Sequence, residues 1–514
     1  MYKKFKILLM LSFLIASCNK MPVANDKEFV STNHMEKSIE VSASRNTPEV
    51  EKSLNEIESS EEISKGENIE TDGIKAPTGK TIELGDMLKN SNMSYYAVDL
   101  DSGEVLADYR GENIATPASV MKIVTSATAL DILGEETKLE TKLLYDGKID
   151  KSGVLNGNLY IKGSGDPTLG SENFKGDREK FLKDWVSDTK KAGIKSIKGN
   201  IIVLDDLFGY DGVSGKWLLE DLASGYGQSV YGISLFDNVC TIFLDSDSKG
   251  GKVVKVVPKV PNLTFVNNLK ISPKGRNDVY VRGLPFENKR TLVGEIPANQ
   301  KNIVVKSDIP DPGMFLGEYF KERLTDAGIS VNGKVETART TQKRPKNPVV
   351  IGVAESKTIG EMINVLLVES DNHYAEHLYQ LMKLKGVDIK EYWEEKGIDT
   401  SALGIFDGSG LSRADYISGK TLTDILVYMY HNYPEYVGFL PKAGYEGTVV
   451  GFLTAERFDG EARVKSGSMG GVQSYAGYME KDGKKVAFTI MINHWNGSRN
   501  QVKREIEDLL NKLF

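Results

Sequence analysis

Thr116-Pro117-Ala118-Ser119-Val120-Met121-Lys122 is the stretch around which the chain is organised, and an apolar run follows it. Thr116 can cap a helix, Pro117 suits the first turn through its fixed φ and missing N–H, and Gly134 ends the run. Because Ser119 and Lys122 are three residues apart, a hydroxyl and an amine share one helical face. This spacing predicts a nucleophile beside a base, although Ser-x-x-Lys alone is also typical of a solvated helix edge.

The composition is that of an ordinary soluble globular protein with several domains. The chain has 514 residues, of which 40% are hydrophobic and 27% charged. A prior of about 150 residues per domain allows two to four domains. The net charge is −7 and the isoelectric point is near 5.6, so no nucleic-acid partner is expected. The glycine-rich loop 163–169 lacks the lysine of a phosphate-binding loop, and we predict no cofactor.

The N-terminal segment predicts export. Lysines precede a short apolar run, and Ile15-Ala16-Ser17-Cys18 resembles a bacterial lipobox, although Ile15 stands where Leu is commoner. Residues 1–18 are therefore predicted to be a lipoprotein signal peptide, cleaved before Cys18, whose sulfur would carry the lipid. The alternative is an ordinary secretory signal. Residues 19–80 are polar and lack apolar periodicity, which predicts a flexible tether.

The rest of the chain predicts an α+β protein in three parts. An opening hairpin and closing strands suit one antiparallel sheet, which places 81–141 and 348–514 in one domain. Residues 142–239 and 309–347 each carry a helix, a glycine stop and a strand, and are expected to form an inserted α+β domain. Short strand-like runs broken by Pro and Gly predict a small β-rich domain over 240–308. Cys240, in an apolar run of that part, is expected to be a buried small residue.

Two further polar motifs follow the Ser119 stretch. Ser370-Asp371-Asn372 lies between two helical patterns, and Lys465-Ser466-Gly467-Ser468 lies on a predicted strand. Gly467 would allow another part of the backbone to approach that strand closely. Taken singly, the first motif is also typical of a turn or helix cap and the second of an ordinary strand end.

Taken together, Ser-x-x-Lys, Ser-x-Asn and Lys-[Ser/Thr]-Gly occur here in the order found in serine enzymes that penicillin acylates. From about residue 82 to residue 514 the chain resembles the class C low-molecular-mass penicillin-binding proteins, a family of D-alanyl-D-alanine carboxypeptidases and endopeptidases. Ser466 and Ser468 stand where the family usually has threonine, and both keep a hydroxyl. Other segments that match are the loop 163–169, Asp205-Asp206 before Phe208, the loop 407–413, and Gly447-Thr448.

The resemblance implies a penicillin-binding, serine β-lactamase-like transpeptidase fold and a serine DD-peptidase that β-lactams inhibit. Ser119 would form the acyl-enzyme, with Lys122 as the base that takes its proton. Burial and the nearby charge of Lys465 would lower the pKa of Lys122 and favour the neutral amine. Ser370 would relay the proton to the leaving nitrogen, and Asn372 would hold the substrate amide.

The strand motif is expected to bind the other end of the substrate. Lys465, Ser466, Gly467 and Ser468 would contact the terminal carboxylate, and the backbone N–H groups of Ser119 and Ser468 would form an oxyanion hole. The expected partners are peptidoglycan stem peptides, β-lactam antibiotics and, through a lipid anchor, a membrane. The protein would then lie on the extracytoplasmic side of a bacterial cell envelope.

Two alternatives remain open from the sequence. His373-Tyr374-Ala375-Glu376-His377 has the form H-x-x-E-H of an inverted zinc-protease motif, although no clear further ligand accompanies it and we predict no metal. The same fold could also serve a non-catalytic lipoprotein that binds peptidoglycan or senses β-lactams. The complete set of nucleophile, base and auxiliary side chains favours the enzyme.

Overall fold

The computed structural model describes residues 74–75, 81–82, 84–85 and 87–514. The predicted signal peptide, Cys18 and almost all of the predicted tether lie outside the described residues. None of the helices within these ranges is long and apolar enough to cross a membrane.

The described residues form strands and helices that alternate irregularly along the chain. The strands are β1 (Ile74–Lys75), β2 (Thr81–Ile82), β3 (Asn92–Asp99), β4 (Val105–Tyr109), β5 (Ile114–Ala115), β6 (Glu140–Tyr145), β7 (Lys148–Ile149), β8 (Val154–Asn156), β9 (Leu159–Lys162), β10 (Ser196–Ile197), β11 (Ile201–Leu204), β12 (Val239–Ser246), β13 (Gly251–Val257), β14 (Thr264–Ile271), β15 (Asp278–Arg282), β16 (Lys289–Ile296), β17 (Ile303–Asp308), β18 (Ser330–Val331), β19 (Val335–Thr337), β20 (Val349–Glu355), β21 (Leu403–Gly404), β22 (Tyr416–Ser418), β23 (Glu461–Met469), β24 (Val472–Lys481) and β25 (Lys484–Asn493). The α-helices are α1 (Met121–Leu133), α2 (Lys180–Lys191), α3 (Pro312–Asp326), α4 (Ile359–Val368), α5 (Asn372–Leu384), α6 (Ile389–Glu395), α7 (Gly419–Asn432), α8 (Tyr436–Phe439) and α9 (Arg499–Asn511).

The largest sheet joins the two ends of the described chain. Its order is β2-β1-β4-β3-β25-β24-β23 and its pairs are antiparallel, with Tyr96 opposite Thr489 where the opening hairpin meets the last strand. The predicted meeting of the opening hairpin and the closing strands is therefore confirmed. The sheet also takes in Ile74–Lys75, which lies inside the range 19–80 predicted as a tether. A two-residue strand pairs through its backbone and leaves no apolar period in the sequence.

Strand β25 shows how this sheet is covered on both faces. Phe488, Ile490 and Ile492 pack with α9, while Ala487 and Met491 point to the helices on the other face. This alternation is the period of two expected of a strand between two apolar layers.

Helix α1 crosses the middle of the helical layer, and residues 121–130 are buried without exception. A helix that is apolar on all sides belongs in a core, so the solvated-edge interpretation of Ser-x-x-Lys is wrong.

The chain between the two halves of this domain builds separate sheets. One has the order β19-β11-β9-β6-β20, and another has the order β18-β10-β8-β7. The two helix–glycine–strand segments seen in the sequence lie side by side, since β10 pairs in parallel with β18 and β11 with β19. Strand β20 follows the predicted boundary at residue 348 and joins the sheet of β6, where Val353 pairs with Lys142. An apolar run before a helix gave no sign of which sheet it would join.

Residues 240–308 fold into two three-stranded sheets, β13-β12-β17 and β14-β16-β15, around a small core of their own. Cys240 on β12 is a fully buried free thiol, as expected. Burial raises the pKa of this thiol to about 12, so the group stays protonated and unreactive at neutral pH.

Candidate active site

Ser119 lies in a tight 3₁₀ turn over Ala118–Val120 that leads directly into α1. Ala118 adopts the left-handed backbone conformation with φ of 52°, which is uncommon for a residue with a side chain. In this described turn no side chain caps the helix, so the predicted capping role of Thr116 is wrong. The side chain of Asn493 instead holds the backbone N–H and C=O of Thr116, at 2.8 and 3.0 Å. This clamp and the strained turn fix where Ser119 faces the cleft.

Lys122 is fully buried and its Nζ contacts three oxygen atoms. Nζ lies 3.0 Å from Ser119 Oγ, 2.6 Å from Asn372 Oδ1 and 2.7 Å from the carbonyl oxygen of Ser409. A neutral amine has two N–H donors and one lone pair. In the structure Nζ is placed to donate to all three. Asn372 Oδ1 and the Ser409 carbonyl can only accept, so once the amine is neutral they take its two N–H donors and its lone pair can accept from the Ser119 hydroxyl. This is the hydrogen-bonding pattern of a general base.

The environment of Lys122 makes the neutral amine more accessible than it is in an exposed lysine. Burial lowers the pKa of the Lys122 amine from 10.5 to about 8, against the opposing pull of the Asp407, Asp371 and nearby carboxyl charges. Of the two predicted causes, burial is the main one, whereas the charges that act on the pKa of Lys122 here come from carboxyl groups and not from Lys465. Burial lowers the pKa of Lys465 well below its usual value, and the charge of Lys122 lowers it further.

Asn372 is held by the start of α5. Ser370 has φ of 58°, and Asp371 caps the helix by accepting a hydrogen bond from the backbone N–H of Tyr374 at 3.0 Å. These two features turn the chain sharply between α4 and α5 and direct Asn372 toward Lys122. On its other side, Asn372 Nδ2 donates to the backbone carbonyl of Tyr226 at 2.9 Å. The amide is thus fixed with Oδ1 toward the amine.

Lys465 brings the third motif against the other two. It is buried on β23, and its Nζ donates to Ser370 Oγ at 2.8 Å and to the carbonyl of Ser466 at 2.9 Å. The predicted close approach at Gly467 is present, because a Cβ atom there would lie 2.5 Å from the carbonyl oxygen of Pro117. Only glycine lets β23 lie this near the Ser119 turn.

Ser466 and Ser468 point away from Gly467, as alternate residues of a strand do. Ser466 Oγ lies 2.7 Å from Thr448 Oγ1, and Ser468 Oγ accepts from Arg499 Nη1 at 2.5 Å. Ser468 is exposed, so its hydroxyl can be reached from solvent. The five residues predicted to carry the chemistry are thereby brought together, with the strand hydroxyls beside them.

Asp407 is a member of the site to which sequence reasoning gave no role. Its two carboxyl oxygens accept from the backbone N–H groups of Ser409, Gly410 and Ser412 at 3.0, 2.6 and 2.7 Å. A fourth donor is Trp217 Nε1 at 2.6 Å. Asp407 therefore folds the loop around itself and directs the Ser409 carbonyl at Lys122. Its segment stood out in the sequence only as part of a resemblance.

Two protonated carboxyl groups accompany Asp407 behind Lys122. Burial, and then the charge of Asp407, raise the pKa of Glu376 to about 8 and that of Asp415 to about 10. Asp415 is therefore neutral at neutral pH, and Glu376 mostly so. The protonated forms of Glu376 and Asp415 place less negative charge behind the amine than their ionised forms would.

Comparison with known proteins agrees with this geometry. A family model described as the D-Ala-D-Ala carboxypeptidase 3 (S13) family matches residues 80–513. The chain belongs to this family. It is 26% identical over 446 residues to D-alanyl-D-alanine carboxypeptidase DacB of Haemophilus influenzae, covering 82% of this chain and 90% of that protein. It is 25% identical over 426 residues to D-alanyl-D-alanine carboxypeptidase of Actinomadura sp. (strain R39), covering 78% and 77%.

A solved structure shows the same fold. The crystal structure of penicillin binding protein 4 (dacB) from Haemophilus influenzae matches with a TM-score of 0.73 at 23% identity, covering 83% of this chain and 97% of that one. The α+β penicillin-binding fold and the membership of a D-Ala-D-Ala carboxypeptidase family are confirmed. The chain is a serine-type carboxypeptidase of the S13 family.

Residues 217–226, in the segment predicted to be the inserted domain, form one wall of this S13 site. The carbonyl of Tyr226 holds Asn372, the indole of Trp217 holds Asp407, and Tyr226 Oη donates to Asp221 at 3.0 Å. Arg413 donates to the carbonyl of Gly470 at 3.3 Å. Residues 217–226 lie about 150 residues before the Ser370 motif and carry no motif, so sequence spacing could not place them here.

The two histidines of H-x-x-E-H serve this same domain contact. His373 Nε2 lies 2.8 Å from Ser234 Oγ, and His377 Nδ1 lies 2.8 Å from the carbonyl of Gly165. Burial lowers the pKa of His377 to about 4, so this imidazole is neutral. Across the described ranges, no three His, Cys, Asp or Glu side chains are arranged to hold a metal ion. The motif packs α5 against the inserted domain.

Proposed function

We propose that this chain cleaves D-Ala-D-Ala termini of peptidoglycan stem peptides through an acyl-enzyme on Ser119, and that β-lactams acylate the same serine. The observation that carries the proposal is that Lys122 Nζ lies 3.0 Å from Ser119 Oγ and also contacts Asn372 Oδ1 and the Ser409 carbonyl. When the amine is neutral, these two acceptors take its N–H groups, and its lone pair can accept the Ser119 proton.

In the first step Ser119 Oγ attacks the carbonyl carbon of the penultimate D-Ala. The hydroxyl proton passes to Lys122 Nζ as the Oγ–C bond forms, so the amine becomes an ammonium. The negative charge on the carbonyl oxygen would be held by the backbone N–H groups of Ser119 and Ser468, a contribution of about 3 kcal/mol per donor. Gly467 supports this arrangement, because it brings β23 beside the Ser119 turn.

In the second step the peptide C–N bond breaks and terminal D-Ala leaves. Its nitrogen needs a proton, which Ser370 would supply from its hydroxyl and recover from Lys122. Lys465 Nζ donates to Ser370 Oγ at 2.8 Å, so the serine accepts there and its own proton is free to move toward the nitrogen. Water then hydrolyses the acyl-enzyme, with Lys122 again as base.

Substrate binding would use the strand beside these groups. Asn372 Nδ2 has a second N–H besides the one bonded to Tyr226, and it would donate to the substrate amide. The terminal carboxylate would lie at the hydroxyls of Ser466 and Ser468, near the Lys465 amine. A β-lactam carries an amide and a carboxylate in a similar relation. Its leaving nitrogen stays attached after ring opening, so water cannot readily reach the ester.

The test is to incubate the purified chain with a fluorescent penicillin and, separately, with a peptide ending in D-Ala-D-Ala. We expect covalent labelling on Ser119 and release of D-Ala. Both should be absent in Ser119→Ala and unchanged in Ser248→Ala, a matched change at an exposed serine. Labelling without D-Ala release would support the β-lactam-sensing alternative. Labelling that persists in Ser119→Ala would overturn the assignment of the nucleophile.

The location follows from the N-terminal sequence and is also a proposal. Export with lipid on Cys18 would hold the catalytic part at the outer side of a membrane, where peptidoglycan lies. We expect the wild-type chain in the membrane fraction of expressing bacteria and Cys18→Ser in the soluble extracytoplasmic fraction. Equal membrane association of both would favour an ordinary secretory signal or another mode of attachment.

A further inference from the structure

Arg499 begins α9 and reaches the end of β23 that carries Ser468. Its Nη1 donates to Ser468 Oγ at 2.5 Å, to Gln473 Oε1 at 2.7 Å and to the carbonyl of Val472 at 2.8 Å. Nη2 donates to the carbonyl of Met469 at 2.8 Å. All of these partners are neutral, and within the described ranges no carboxylate pairs with Arg499. The guanidinium charge is therefore held in place without being neutralised.

The contact between Arg499 and Ser468 decides which hydrogen bonds the Ser468 hydroxyl accepts and which it can donate. A guanidinium can only donate, so the Ser468 oxygen accepts from Arg499. The hydroxyl proton is then free to be donated outward, toward the cleft. Hydrogen bonds in which one partner is charged are stronger than neutral ones, so the serine is a better donor than a free hydroxyl.

We propose that Arg499 is a positioning residue which, through Ser468, selects substrates that end in a free carboxylate. The proposal rests on the proposed function, since it concerns the same cleft. The exposed Ser468 hydroxyl donates to one carboxylate oxygen, and the unpaired charge behind it favours an anion over a neutral group. A neutral carboxamide at the same place gains little from that charge.

The test compares two substrates that differ only at this group, a peptide ending in D-Ala-D-Ala and its C-terminal carboxamide. Wild-type enzyme should prefer the acid. In Arg499→Met, kcat/KM for the acid should fall about 10- to 100-fold, as expected for a lost charge-assisted hydrogen bond, while kcat/KM for the amide changes little. Arg499→Lys keeps the charge and should retain part of the preference. Arg504→Met removes an exposed arginine of the same helix and should change neither value.

The ratio of the two kcat/KM values separates this role from a structural one. Arg499 also ties β24 to α9, so Arg499→Met can lower stability, but a distorted strand would slow both substrates equally. Ser468→Ala should reduce the same ratio, and the double variant should lose no more than the larger single loss, because both act on one contact. An unchanged ratio in Arg499→Met and Arg499→Lys overturns the inference. Wild-type enzyme that neither releases D-Ala nor reacts with penicillin overturns the proposed function instead.

Discussion

The two walls of the cleft contribute different things. The segments predicted as the penicillin-binding domain supply the side chains that we propose exchange protons or form bonds, namely Ser119, Lys122 and Ser370, together with Lys465, which donates to Ser370. The inserted domain contacts their neighbours through a backbone carbonyl at Tyr226 and through an indole N–H on Asp407. Reactive groups on one domain are thus oriented by fixed dipoles on another. Variants in the first wall, which carries the reactive side chains, should abolish acylation of Ser119. Variants in the second wall, which carries the orienting groups, should only slow it.

Removal of the Lys122 amine should have the largest effect. In Lys122→Met the Ser119 hydroxyl loses its base, so we expect acylation by penicillin to slow by about 10³-fold or more. The fold should survive, because Met fills a similar volume and removes a buried amine. Stopped-flow acylation and thermal unfolding measure the two properties. A variant that unfolds cooperatively near the wild-type temperature but acylates at the wild-type rate would show that another group is the base.

Asp407→Asn should have the next largest effect on acylation, because Asp407 holds the loop whose Ser409 carbonyl contacts Lys122. The Asp407 carboxylate has two acceptor oxygens, which together accept from four N–H groups. The amide of Asn keeps only one acceptor oxygen, so the loop that directs the Ser409 carbonyl should loosen. We expect acylation to slow about 10- to 100-fold. Asp399→Asn, at an exposed carboxylate, is the control and should be neutral. Equal rates for Asp407→Asn and wild type would separate the loop from catalysis.

The pH dependence of acylation should show the state of Lys122. Its pKa is lowered to about 8, so below that pH the amine is protonated and cannot act as a base. The acylation rate should therefore rise from pH 6 to pH 9, with an apparent midpoint near 8. Glu376 also titrates near 8, so the midpoint belongs to the coupled group. A rate that stays flat over this range, with penicillin stable throughout, would contradict a titrating base.

The motifs in the sequence were enough to predict the residues of the first wall. Ser119 and Lys122 are one turn apart, and a buried helix leaves that spacing little freedom. Ser370, Asn372 and Lys465 lie far along the chain, and only the order shared with a known family placed them together. Helix α4 lies where the sequence shows a helical pattern before Ser370, because a capping box and an apolar run are local signals.

The second wall depended on tertiary contacts that leave no local pattern. Tyr226 acts through its backbone carbonyl, which every residue possesses, and Trp217 through a single N–H. The wrong prediction that Thr116 caps the helix has a related cause. Its side chain has the right chemistry for a cap, but Asn493, at the other end of the chain, fixes its backbone and the turn takes another course. Local propensity is overridden where distant segments meet.

Trp217→Phe should give the smallest effect and is the direct test of the second wall. Phe keeps most of the ring packing but removes the N–H that reaches Asp407 at 2.6 Å, so the carboxylate retains its three backbone donors. We expect acylation to slow only a few-fold, consistent with about 1 kcal/mol for one hydrogen bond, and stability to change little because Trp217 is only half-buried. Trp185→Phe is the opposite control, since Trp185 is fully buried in the core of the inserted domain. It should lower the unfolding temperature and leave the acylation rate unchanged. If Trp217→Phe instead behaved like Trp185→Phe, its contact with Asp407 would serve only to attach the two domains.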